Sequence, residues 1–220
     1  MHLRWLAVLA AGLALFVAVL AVLLDTGNPL YVPSLLLIGA VVAGQLEFET
    51  VRELGALPTL LIGLIEESAK LAVPAVMLAV TLTRLRPRAM DGLVLGVAVG
   101  SGFAALETMG YAFVALLRAG GHLEPVTILL LLRAVTSPGG HAAWTGLVCA
   151  ALFAIWGASR GWLAWLRFLL VFVGVVVLHA AWDSTAGGSG HLIVGGLSFA
   201  LLMVVTWRLH RAARTNGPER

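Results

Sequence analysis

The chain is dominated by long apolar runs, at 5–24, 30–46, 57–83, 90–117, 125–158, 164–186 and 191–210. A helix needs about 20 predominantly apolar residues to cross the hydrocarbon core of a bilayer, whereas a barrel strand takes about 10. In lipid the backbone must satisfy its own hydrogen bonds, which leaves only helices and closed barrels. These runs are far too long for barrel strands. The expected fold is therefore all-α, a polytopic transmembrane helix bundle of about seven membrane helices, roughly six to eight. Two runs set that range. Ser137-Pro138-Gly139-Gly140 falls inside 125–158 and should break it near Pro138, giving two helices or a half-helix and a full one. The 30–46 run is short and has Pro29 and Pro33 near its start, so it need not cross fully.

Composition agrees. Of 220 residues, 60% are hydrophobic and 11% charged, against about 25% charged in soluble domains. Residues 1–220 read as one integral membrane domain without a soluble domain. The formal charge of +3 does not point to nucleic acid, because the basic residues cluster between apolar runs and read as topology signals. Arg84, Arg86 and Arg88, then Arg160 and Arg167, then the tail 211–220 with neighbouring Arg208 are expected on the cytoplasmic side of a bacterial-type plasma membrane. The acidic loop with Glu47, Glu49 and Glu53 then faces outside. The N-terminus is inside or outside according to whether 30–46 crosses. The first run, 20 residues ending in Leu-Leu-Asp, exceeds the roughly 7–15 apolar residues of a signal peptide and reads as an uncleaved span. A lone cysteine, Cys149, excludes an intrachain disulfide.

Against this apolar background stand Glu66, Glu67, Lys70, Glu107, Arg133, His141, His179 and Asp183. Each charged group at the centre of a membrane helix costs about 2.5–3.5 kcal/mol on insertion scales, so such residues mark functional sites by default. Spacing groups them. Glu66 and Lys70 share one helix face at i,i+4, as do His179 and Asp183, and Phe103 and Glu107 repeat the interval. Gly100 and Gly102 should let another helix approach closely. Depth agrees as well. Glu66 and Glu67 lie roughly 14 Å from the outer end of their span, Glu107 roughly 15 Å and His179 roughly 10 Å. One shared site at mid-membrane to outer-half depth explains that layer. The plainer alternative makes Glu66 and Lys70 only an intrahelical ion pair.

Glu66-Glu67-Ser68-Ala69-Lys70 resembles the EExxK motif of the PrsW family of intramembrane proteases. Gly102-Phe103-Ala104-Ala105-Leu106-Glu107 resembles its FxxxE block, and Phe103 is the supporting aromatic. Arg133 and His141, eight apart and followed by Ala142-Ala143-Trp144-Thr145, resemble its third block. His179-Ala180-Ala181-Trp182-Asp183 resembles its final HxxxD-like motif. The blocks come in the family's order within 57–186, which the resemblance marks as the catalytic core helices. It also implies kinship with the type II CAAX prenyl proteases and Abi proteins. Lys70, Glu107 and Asp183 depart from the EExxxR, FxxxH and HxxxN-like blocks of that wider group. The implied activity is a site-1-type cut of a membrane-anchored protein, as in the family's cleavage of an anti-sigma factor at its extracytoplasmic side. The expected partners are a single-pass membrane substrate and the lipid bilayer.

Peptide hydrolysis needs a water, a base and stabilisation of the oxyanion. Glu66 or Glu67 is the expected base, with the other orienting. Glu107, His141 and His179 make a candidate zinc set of three protein ligands with a fourth position for water, and Asp183 would orient His179. A metal-free, glutamate-type mechanism in which Glu66 and Glu107 share the water is the alternative. Asp183 fits it poorly, because an ionised carboxylate cannot donate to an oxyanion. There is no HExxH. Arg133 pairs with a glutamate or holds the segment of His141. Trp144 and Trp182 read chiefly as interfacial packing, with walls of the pocket as the second reading, Thr145 as helix packing, and His2, His122, His191 and His210 as span ends. A rhomboid-like serine site at Gly187-Gly188-Ser189-Gly190 lacks a well-placed later histidine. A proton-coupled transporter lacks the paired broken helices of inverted repeats.

Overall fold

The computed structural model describes residues 59–81, 87–156, 161–185 and 188–215. The expected spans at 5–24 and 30–46, and the acidic loop, lie outside the described residues. Every regular element described is helical. Helix α1 is Thr59–Thr81, α2 Ala89–Arg118, α3 Leu123–Thr136, α4 His141–Ala154, α5 Gly161–Asp183 and α6 Gly188–Thr215. Among them α2, α5 and α6 are long and apolar enough to cross a membrane, so the chain is a membrane protein of helical architecture. The 23-residue α1 has the length, but carries Glu66, Glu67 and Lys70 in its middle.

The 125–158 run is indeed broken. A single turn of 3₁₀-helix, Ser137–Gly139, separates α3 from α4, and each of those helices has 14 residues. At 1.5 Å per residue each is about 21 Å long, too short to cross a hydrocarbon core of about 30 Å alone. The two ends of α2 are set locally. The Arg88 amide donates to Asp91 Oδ2 at 2.9 Å, so an acid in the first turn meets the positive end of the helix dipole. At the other end Gly120 and Gly121 take positive φ, 61° and 91°. Their amides bond back to the carbonyls of Leu117 and Leu116, the closure that stops a helix and turns the chain.

Helix α4 is the axis of the bundle, buried from His141 through Ala150. It lies antiparallel to α2 along a glycine stripe of period four. An added Cβ at Gly92, Gly96 or Gly100 would come within 3.0 Å of the carbonyl oxygens of Cys149, Thr145 and His141 respectively. Only hydrogen fits there, so backbone meets backbone, as small-residue stripes allow in membrane helices. Of the glycines expected to serve this purpose Gly100 does, joined by Gly92 and Gly96. On the other side Trp144, Val148 and Leu152 of α4 pack with Leu78 of α1 and Ala164, Phe168 and Val175 of α5. Gly63 of α1 nestles against the Val176 carbonyl and the His179 Cβ, with 3.1 and 3.3 Å to a Cβ placed on it. The 3₁₀ turn crosses α6 at an equally close Gly139–Gly195 contact. The outward faces of α5 and α6 carry exposed Leu169, Leu170, Val173, Ile193 and Leu197.

Gly96→Leu should therefore destabilise the bundle by about 1–3 kcal/mol or more, because the added side chain strikes backbone that cannot yield. Gly110→Leu should be near neutral, since no described atom lies within 4 Å of a Cβ there. Unfolding of the two variants in detergent, followed by circular dichroism, gives the comparison.

Candidate active site

Helix periodicity places Gly63, Glu67 and Lys70 on one side of α1, and the missing side chain at Gly63 lets α5 close on it. His179 is thereby brought to Glu67. Lys70 is the hub. Its ammonium donates to Glu66 Oε2 at 3.0 Å, Glu67 Oε1 at 2.7 Å and His141 Nδ1 at 2.6 Å. Those are all three donors an ammonium has. Pro74, four residues on, supplies no amide to the Lys70 carbonyl, so α1 lacks one backbone bond at this level.

The neighbours set the tautomers. An ammonium only donates, so His141 Nδ1 accepts, and its Nε2–H donates to Glu107 Oε2 at 2.7 Å. Arg133 reaches across from α3 and donates to the same Glu107 oxygen at 2.6 Å and to Thr108 Oγ1 at 2.7 Å. His179 Nδ1 donates to Glu67 Oε1 at 2.8 Å. Its Nε2 lies 3.6 Å from Glu66 Oε2 and 3.5 Å from Asp183 Oδ2, beyond good hydrogen-bonding distance. Each imidazole thus has a carboxylate on one ring nitrogen, Glu107 for His141 and Glu67 for His179. The Phe103 ring lies 4.2 Å from the Lys70 nitrogen, a cation–π contact, and also borders His141.

The eight ionisable residues of the apolar runs, together with Phe103, fall into this cluster or on its edge. The bond from Lys70 to His141 on another helix overturns the reading of Glu66 and Lys70 as only an intrahelical pair. The structure also moves Trp144. Expected chiefly as interfacial packing, it is fully buried, stacks on the His179 ring with 4.8 Å between centroids, and donates from Nε1 to Ser198 Oγ at 2.9 Å. Trp182 packs edge-on against it. Ser198 was not singled out; its one signal is a hydroxyl on an apolar helix. Thr145 is buried in the α2–α4 contact as expected, its hydroxyl without a described partner. Ser189 of the serine-site alternative is exposed at the start of α6. His191 packs on Trp182 and lies 3.2 Å from Thr185 Oγ1.

A family model described as PrsW family intramembrane metalloprotease matches residues 2–209. The chain belongs to the PrsW family. No curated protein and no solved structure matches it. In this PrsW family chain the four blocks close on one another around Lys70.

The donor set suits the metal in the family's description. Ligand atoms of Glu66, His141 and His179, all buried, lie within 4.8 Å of one another. Two histidines and a glutamate are a known catalytic zinc set. Glu66 here stands where Glu107 was expected, while Glu107 is engaged by Arg133 and His141. Four carboxyl groups, those of Glu66, Glu67, Glu107 and Asp183, face two fixed cations, Lys70 and Arg133. A bound dication would offset that surplus, and an unbalanced charge is costly in an apolar interior.

Trp144→Ala should cost about 3–5 kcal/mol through the cavity it leaves. Ser198→Ala, which strands the indole N–H, should cost about 1–3 kcal/mol. Thermal unfolding in micelles measures both, and equal losses would contradict the packing assigned to Trp144.

Proposed function

We propose that this chain is an intramembrane endopeptidase that hydrolyses a peptide bond of a single-pass membrane protein, in an anti-sigma-factor-like, site-1-type cut on the extracytoplasmic side. The observation that carries this reading is the convergence of Glu66, Glu67, Lys70, Glu107, His141 and His179, from three helices and a helix start, on one hydrogen-bonded cluster among apolar side chains. The proposed setting is a bacterial-type plasma membrane, with about seven membrane helices and the tail cytoplasmic. The positions of Arg88, Arg167 and Arg208 support this orientation: each lies toward the same end of the bundle, which the positive-inside rule assigns to the cytoplasm. Glu66 then lies about 10 Å from the outer end of α1.

In this proposal Glu66, His141 and His179 hold zinc, while Glu107 and Glu67 fix the two imidazoles from their far nitrogens. Zinc bound there would polarise the scissile carbonyl and acidify its water. The base must be reachable by that water. Glu67 has a side chain only 1% exposed and accepts from both Lys70 and His179, which suits an orienting role. The Asp183 side chain is 29% exposed and 3.5 Å from His179 Nε2, so in this proposal Asp183, in place of Glu66 or Glu67, would take the water's proton and return it to the leaving amine. A second reading, hydrolysis without metal with Glu66 as base and Glu107 assisting, is favoured by one observation: the Lys70 ammonium already holds Glu66 and His141.

Glu66→Ala and His179→Ala should each abolish cleavage of a single-pass reporter co-expressed with the chain, and intact cleavage in both would end the protease reading. Asp183→Asn should lower cleavage by about 10²–10⁴-fold, the worth of a positioned base, yet keep its zinc. Glu66→Ala should lose both, as read by metal analysis of the purified proteins. Full metal-free activity of the unaltered chain would select the second reading.

A further inference from the structure

His141 has two ring nitrogens, and both are taken. Nδ1 accepts from Lys70 at 2.6 Å, and Nε2 faces Glu107 at 2.7 Å. A metal on His141 needs one of these positions. The Nε2 side holds the carboxylate–histidine contact that orients a ligating imidazole, and Arg133 fixes that carboxylate in turn. The Nδ1 side holds a cation. One cation yields there to another without disturbing Glu107, and the same ammonium covers Glu66 Oε2, on a second member of the ligand set.

We propose that the Lys70 ammonium is a built-in competitor for the metal position, displaced from His141 Nδ1 and Glu66 when a divalent cation enters. This rests on the zinc reading given under the proposed function. Lys70 keeps a place to go. Its bond to Glu67, at 2.7 Å, is to a residue outside the ligand set. The displaced ammonium stays paired there while the ligand atoms are freed. Without metal, Lys70 keeps the acids of α1 paired so that the helices can close. With metal, it is the charge against which binding is weighed. Two properties follow: the metal-free chain is folded, and its affinity for zinc is lower than its donor set alone would give.

The test is zinc affinity of the full chain in detergent micelles, stripped of metal and titrated in competition with a chromophoric chelator. Lys70→Met removes the competitor and should bind zinc at least about tenfold tighter than the unaltered chain, the scale on which contacts around a metal's ligands alter affinity. Its unfolding temperature should also rise more on adding zinc. Arg133→Met removes an equal charge from the cluster without vacating a ligand atom and loosens the Glu107 that orients His141, so it should leave zinc affinity unchanged or weaken it, never tighten it. His141→Ala should abolish the binding and so mark the site. Equal gains in Lys70→Met and Arg133→Met would overturn displacement in favour of bulk charge. Unchanged or weaker binding in Lys70→Met, with His141-dependent binding in the unaltered chain, would overturn the proposal and leave the zinc reading intact. Absence of binding in every variant would overturn both. Should Lys70→Met fold only with zinc, that result itself supports the proposal. Should it not fold at all, Lys70→Gln carries the same expectations.

Discussion

Charge in a medium without water must be answered by charge, and that constraint organises this protein. The ammonium of Lys70 spends every proton it has on Glu66, Glu67 and His141. From those contacts the rest of the web extends: Glu67 to His179, His141 to Glu107, Glu107 to Arg133. The web ties α1, α2, α3, α4 and α5 together through polar atoms alone. Buried ionic networks are poor sources of net stability, yet breaking one partner is costly. The cluster therefore acts as a demand for one particular arrangement of helices, which the apolar packing then stabilises.

The demand can be met because backbone approaches backbone where it must. The glycine stripe of α2 draws His141 and Thr145 against it, and Gly63 draws α5 against α1. Bulkier residues at these positions would hold the polar groups apart, each in an apolar environment without a partner. The small residues and the ionisable residues are thus two halves of one design.

Much of this was legible in the sequence. The i,i+4 spacing of Glu66 with Lys70 and of His179 with Asp183, the similar depths, and the Ser137-Pro138-Gly139-Gly140 break all follow from helix geometry and turn chemistry. The helical membrane character follows from the apolar runs. Spacing within one helix does not say which face of a neighbour it meets. For that reason the sequence offered Glu107 for the ligand set: both are acids on apolar helices, and only the tertiary contacts engage Glu107 with Arg133 and His141 and bring Glu66 within reach of both imidazoles. The choice between interface and pocket wall for Trp144 was open for a similar reason. A tryptophan three residues after a histidine in an apolar run has the same appearance at a lipid interface and in a core. Ser198 lies 54 residues from the indole it serves, with nothing local to announce it.

Helix α4 carries a consequence for biogenesis. It is about 21 Å long by helix rise and begins beside the buried Gly139 and Gly140, so its first amides open at membrane depth, preceded only by the single 3₁₀ turn of Ser137–Gly139. Bare lipid is a poor host for such a segment, whatever its hydropathy, because the exposed backbone ends would be unbonded there. Its partner α2 is synthesised earlier, and the glycine stripe that receives it is laid down before His141 leaves the ribosome. Partition of α4 from the insertion machinery is therefore expected to be a docking event onto α2 rather than an independent entry into the bilayer, which makes the groove of α2 a template for assembly as well as a wall of the finished protein.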